Sequence, residues 1–119
     1  MTARIRVSSP KVSETAIVKE CLDYLAIRKI FAWRNNSGAT RPKRADGTTG
    51  FLRFGYVGSS DILGILPGGR FLAVECKAKG GKLSDAQQTF LTRITESGGL
   101  AIVAYSYADI FKAFKEAMA

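Results

Sequence analysis

The chain has 119 residues and a net charge of +8, from 18 Lys and Arg against 10 Asp and Glu. With 46% hydrophobic and 24% charged residues it reads as one globular domain, residues 1–119, large enough to bury a core. It contains no histidine, which excludes Ser-His-Asp and Cys-His hydrolysis, one-metal histidine nucleases and most zinc enzymes.

Residues 1–10 read as a loose or edge-pairing arm. The apolar stripe Ile17, Val18, Cys21, Leu22 and Leu25 predicts a helix over residues 12–29. A short strand is expected over 31–35, with Trp33 as a core residue rather than a base-stacking platform. Residues 37–50 are polar and Gly-rich, carry Arg41, Lys43 and Arg44, and read as a mobile basic loop. Another short strand is expected over 51–57. Two strand-like runs, 61–66 and 71–77, flank Pro67-Gly68-Gly69-Arg70, a hairpin signal. A Gly/Lys turn follows at 79–82. Ser84 then opens a helix as N-cap, with Gln87 in capping-box position and Ala86, Phe90, Leu91 and Ile94 as its buried face. Gly98-Gly99 ends it. Residues 100–105 read as a strand covered on both faces, and 107–118 as a last helix. The predicted fold is α/β, in the order αβ(β)ββαβα, with one mixed sheet flanked by helices.

Strand alternation sends Leu72, Val74 and Cys76 to one face, and Glu75 and Lys77 to the other. A carboxylate and an ammonium within an apolar strand are costly unless paired or bound to an ion; a surface ion pair is the plain alternative. The hairpin folds Asp61 back beside them. If Leu66 pairs with Phe71, Asp61 falls opposite Cys76 and points to the wrong face. Either the turn shifts the register by one, or Asp61 lies outside the regular ladder. Glu14 stands on the apolar stripe of the first helix, where it serves either the site or the helix dipole. Gln87 heads its own helix, and its side chain either faces the site or closes the capping box with Ser84. Cys21 and Cys76 read as buried thiols in a reducing compartment rather than a disulfide framework. Without histidine, any bound metal must take oxygen ligands, which points to Mg²⁺ or Mn²⁺. A basic excess suits a polyanion, because cations that neutralise phosphates release counterions. No apolar run approaches the roughly 18 residues that span a bilayer, and no signal-peptide core is present. A cytoplasmic protein without membrane attachment is expected.

The run Gly55-Tyr56-Val57-Gly58-Ser59-Ser60-Asp61, then Gly68-Gly69-Arg70 and Val74-Glu75-Cys76-Lys77, resembles the VRR-NUC family of the PD-(D/E)xK nuclease superfamily. The likeness continues through Lys82-Leu83-Ser84-Asp85-Ala86-Gln87 and Gly98-Gly99, and reaches back to Ser13-Glu14 and Trp33-Arg34-Asn35-Asn36. Ser60-Asp61 stands where the family carries Pro-Asp, a change of backbone shape rather than of chemistry. The resemblance implies a restriction-endonuclease-like αβββαβ core, in a short stand-alone member of the kind found in bacteriophages and prophages. Its location would then be the host cytoplasm.

The same resemblance implies that Asp61, Glu75 and the backbone carbonyl of Cys76 hold Mg²⁺ or Mn²⁺, with Glu14 acting on the ion through water. Lys77 would orient or deprotonate the attacking water, and Gln87 would hydrogen-bond near the phosphate. Arg41, Lys43, Arg44, Lys79 and Lys82 are the candidates for holding DNA backbone. The expected activity is nicking of four-way (Holliday) junctions by a homodimer. Flap cleavage, nonspecific nicking of duplex DNA, and non-catalytic nucleic-acid binding on a nuclease fold are the alternatives.

Overall fold

A computed structural model describes residues 12–117, so the expected arm at 1–10 and Met118 of the last predicted helix lie outside the described residues. Ser13 starts the first helix by accepting the Ala16 N–H on its hydroxyl at 3.1 Å. Helix α1 (Glu14–Ile27) buries Ile17, Val18, Cys21 and Leu25, the expected stripe. Lys29 adopts a left-handed φ of +57° just past its end, and the chain turns into strand β1 (Phe31–Arg34).

Strands β2 (Gly38–Thr40) and β3 (Leu52–Phe54) come next, then β4 (Ile62–Ile65), β5 (Phe71–Cys76), helix α2 (Asp85–Glu96), β6 (Leu100–Ala104) and helix α3 (Tyr107–Ala117). The main sheet has the order β1-β4-β5-β6. Its first three strands are antiparallel neighbours, and β6 lies parallel to β5 because α2 supplies the crossover. The αβββαβ core is therefore α1, β1, β4, β5, α2 and β6, with the β2–β3 ribbon inserted between β1 and β4.

One face of the sheet carries the core. Ile62, Leu72, Val74, Cys76, Ile102 and Ala104 pack there against the α1 stripe and against Ile110 and Phe114 of α3. The opposite face is covered by α2 over β5 and β6. Three expectations change as a result. Trp33 is 39% exposed, stacked on Phe31 at 5.2 Å between ring centroids, because its face of β1 lies beyond the reach of α2. Strand β6 is at the sheet edge, so Ile102 and Ala104 are buried while Ala101 and Val103 are only half-covered. Of the expected buried face of α2, Leu91 alone is fully buried, and Ala86, Phe90 and Ile94 are half-covered.

The segment 37–50 is a hydrogen-bonded ribbon rather than an irregular loop. Gly38 pairs with Phe54, Ala39 with Arg53 and Thr40 with Leu52. The ladder then continues through Gly50 N to Pro42 O, the Lys43–Thr49 bridge and Arg44 N to Thr48 O. At its tip Asp46 accepts from both the backbone N–H and the hydroxyl of Thr48.

The β4–β5 hairpin has a shorter turn than Leu66–Phe71 pairing would give. Ile65 pairs with Phe71, and Leu66 N donates to Arg70 O at 2.8 Å, so only Pro67, Gly68 and Gly69 lie outside the ladder. Gly68 and Gly69 take φ values of +91° and +92°, a conformation that L side chains resist. Arg70 donates from its guanidinium to the carbonyls of Gly98 and Gly99, tying this hairpin to the end of α2.

Two glycines separate strain from packing. At Gly68 an added Cβ would meet nothing within 4 Å, whereas at Gly58 (φ +82°) it would stand 2.5 Å from the Ala86 backbone. Gly68→Ala is expected to cost about 1–2 kcal/mol in urea denaturation, from backbone conformation alone. Gly58→Ala adds overpacking against α2 and should cost at least ~3 kcal/mol.

Candidate active site

The register that puts Ile62 opposite Val74 puts Asp61 opposite Glu75. Asp61 sits one residue before β4, but its carbonyl already accepts Asn35 N at 2.7 Å and so points toward β1. Its side chain lies in a position where opposed side chains across an antiparallel pair come closest. Asp61 thus reaches the face of Glu75, by the one-residue register shift. Asp61 Oδ2 also accepts the Cys76 N–H at 2.8 Å. A strand residue's N–H and C=O leave on the same side, so the Cys76 carbonyl is directed toward Asp61 as well.

Glu75 is 3% exposed. Its Oε1 accepts from Gln87 Nε2 at 3.2 Å, and its Oε2 is buried without a partner among the described residues. Gln87 does both things that its position allowed: its Oε1 caps Ser84 N at 2.9 Å while its Nε2 reaches Glu75. Lys77 is one residue beyond β5, held in line by its N–H to Ala104 O at 3.0 Å. Its stem lies against Gly81, and its Nζ stands 3.8 Å from Glu14 Oε1. The turn over that stem is fixed by Gly81 N to Ala78 O and by the Tyr105 hydroxyl on Gly81 O.

Glu14, Asp61, Glu75, Lys77 and Gln87 therefore come from four elements to one end of the sheet. Lys79 joins them at the rim, in a groove it shares with Ser13, Glu14 and Gly80; Lys82 is exposed nearby in sequence. Arg41, Lys43 and Arg44 are on the ribbon, in a separate group. Two contributors escape the sequence reading. Asn35 donates from Nδ2 to Ser59 Oγ (2.7 Å) and Ser60 O (3.0 Å), clamping the turn that delivers Asp61. Its signal in the sequence is its place in the Trp33-Arg34-Asn35-Asn36 run of the family resemblance, which assigned it no role. Arg53 extends the ribbon's basic group from within an apolar stretch.

Burial pushes the Glu75 carboxyl up to about 8, helped by the charge of Asp61 and a hydrogen bond shared with it; Lys77 opposes the rise and Glu14 adds to it. The contact with Cys21, together with burial, pushes the Cys76 thiol up, and both cysteines are free and buried as expected. The donor set suits a hard divalent cation: two carboxylates, one with an orphaned oxygen, and a backbone carbonyl. Among the described residues no group of three or more Cys, Asp or Glu side chains could hold a metal by itself. Glu14 is drawn to Lys77 rather than into the acid pair.

A mixed sheet in αβββαβ order, with an acid opening one strand and Glu-x-Lys closing the next, defines a nuclease-like α/β fold. Residues 11–108 match the VRR-NUC domain, and the chain belongs to that family, a nuclease-type DNA-processing domain. No curated protein and no solved structure is similar enough to this chain to match it. Among the described residues no helix is long and apolar enough to cross a membrane.

Folding keeps a proton on Glu75 that the unfolded chain releases near its ordinary value of 4.5. Metal-free protein should therefore lose stability as pH rises from about 4.5 to about 8, with no further loss from this group above that. Denaturant midpoints across that range should fall for the wild type and flatten for Glu75→Gln. Asn35→Ala should cost about 1–3 kcal/mol in urea denaturation, by leaving the Ser60 carbonyl unpaired.

Proposed function

We propose that this domain, taken as residues 1–119, is a Mg²⁺- or Mn²⁺-dependent endonuclease that hydrolyses phosphodiester bonds in branched DNA. The observation that carries this reading is the pairing of Asp61 with a buried Glu75 whose Oε2 has no partner, with Lys77 alongside. Two carboxyl groups set against each other in a buried site are short of positive charge.

Asp61, Glu75 and the Cys76 carbonyl would hold the divalent ion, which supplies Lewis-acid charge at the scissile phosphate. Lys77 carries the remaining chemistry. As an ammonium it would stabilise charge building on the phosphate oxygens and orient the attacking water; as a neutral amine, its own proton already lost to solvent, it would take the proton of that water. Glu14 keeps the Lys77 amine at the mouth of the site. Gln87 fixes the Glu75 carboxylate by one oxygen and leaves the other free. Arg41, Lys43, Arg44, Lys79 and Lys82 hold DNA phosphates on either side.

We assign the four-way junction as the preferred substrate and a homodimer as the working form. A C₂ dimer sets two sites in equivalent positions on a junction of like symmetry. The surface supporting a second copy is the uncovered part of the sheet, where Phe31 (68% exposed), Trp33, Ile65 and Phe71 form an apolar strip.

Labelled junction, flap and plain duplex, incubated with Mg²⁺ or Mn²⁺, should show cutting of the junction first and none in EDTA. Glu75→Ala and Lys77→Ala should each lower cutting at least ~100-fold with DNA binding retained. Cutting at the wild-type rate by both variants would overturn the site. Sedimentation should give a dimer that Ile65→Asp dissociates; a monomer at all concentrations would remove the paired-site geometry.

A further inference from the structure

The β2–β3 ribbon has two unlike faces. Pairing of Ala39 with Arg53 and Lys43 with Thr49 places Arg41 opposite Phe51 in the same ladder. Side-chain alternation then gathers Arg41, Lys43, Phe51 and Arg53 on one face. The Arg41 and Arg53 guanidinium carbons stand 5.7 and 5.8 Å from the Phe51 ring centroid, and Phe51 is 56% exposed. The other face carries the Phe54 ring against Gly38, the Arg44 guanidinium over Gly50, and an exposed Leu52.

We propose that the Arg41–Phe51–Arg53 face is a stacking platform for an unpaired nucleobase, with the two arginines holding the phosphates that flank it. The proposal rests on the reading of the chain as an enzyme of branched DNA, and it names the element that tells branched DNA from duplex. Phe51 is exposed beside two guanidiniums, and both an aromatic ring and a guanidinium plane are surfaces on which a base can stack. Every base has a π-face to offer, but inside a duplex both of its sides are already stacked. A flap, a single strand or the open centre of a junction presents one.

Charge selects the occupant. The face has three cations, and the ribbon's one acid, Asp46 at the tip, is satisfied by Thr48. A polyanion fits there better than a second copy of a +8 chain. The position also suits the site. Arg53 and Gly58 line one groove at the base of the ribbon, and Gly58 abuts Ala86, the residue before Gln87. From β3 the chain then runs on to Asp61.

The test uses 2-aminopurine placed at an unpaired position of a flap and of a junction, in EDTA so that nothing is cut. Binding of wild-type protein should quench its fluorescence. Phe51→Ala should abolish the quench and weaken binding of both branched DNAs about tenfold, with plain duplex bound within about twofold of wild type. Phe51→Trp should restore the quench. Arg53→Gln should weaken all three DNAs and lower the salt dependence of binding by about one unit of slope. Leu52→Ala, on the opposite face, should behave as wild type. An unchanged quench in Phe51→Ala, or an equal loss in Leu52→Ala, would overturn the platform and leave the nuclease reading standing. A wild-type protein that binds none of the three DNAs would overturn both.

Discussion

Three residues, Pro67, Gly68 and Gly69, set how β4 lies against β5, and the candidate site depends on that setting. Side chains alternate with a period of two, so adding one residue to the turn would move Asp61 to the α1 side of the sheet. There it would enter an apolar core, and Glu75 would lose its neighbour. Two successive positive φ angles make the short turn possible, which is why consecutive glycines occupy it. Asn35 and Arg70 hold the two ends of the arrangement, one at the Asp61 turn and one at the hairpin.

Once the register is set, the electrostatics follow. Glu75 is deeply buried and faces a second carboxyl, and Lys77 is the charge that opposes both effects. Lys77 does not offset them, since the carboxyl is still pushed well above its ordinary range. Part of the Lys77 charge is directed to Glu14 instead. An apolar replacement would suit such a position better for stability alone. A strongly shifted carboxyl beside a second acid is the arrangement found at functional sites more often than in purely structural cores.

Much of this could be read from the residues. Helix α1 announced itself through Ile17, Val18, Cys21 and Leu25, and α2 through Ser84 and Gln87, because both signals are local. Strand alternation put Glu75 and Lys77 on one face without any partner strand. The register could not be read, since Leu66–Phe71 and Ile65–Phe71 pairings leave equally plausible turns. The ribbon was missed because glycines and basic side chains mask its alternation. Trp33 misled because an aromatic residue in a strand suggests a core, and the width of the helix layer that would cover it is not encoded locally.

The two ends of the Gln87 side chain connect events that would otherwise be separate. Its carbonyl oxygen closes the first turn of α2 and its amide nitrogen restrains Glu75. Fraying of that turn would release the acid, so one side chain holds both the start of a helix and the placement of the Glu75 carboxyl. The position is correspondingly narrow in what it can accept. Glutamate would cap Ser84 equally well but would set a third carboxyl against Asp61 and Glu75. Lysine or methionine would leave the helix start open. An amide, acceptor at one atom and donor at the next, meets both demands at once.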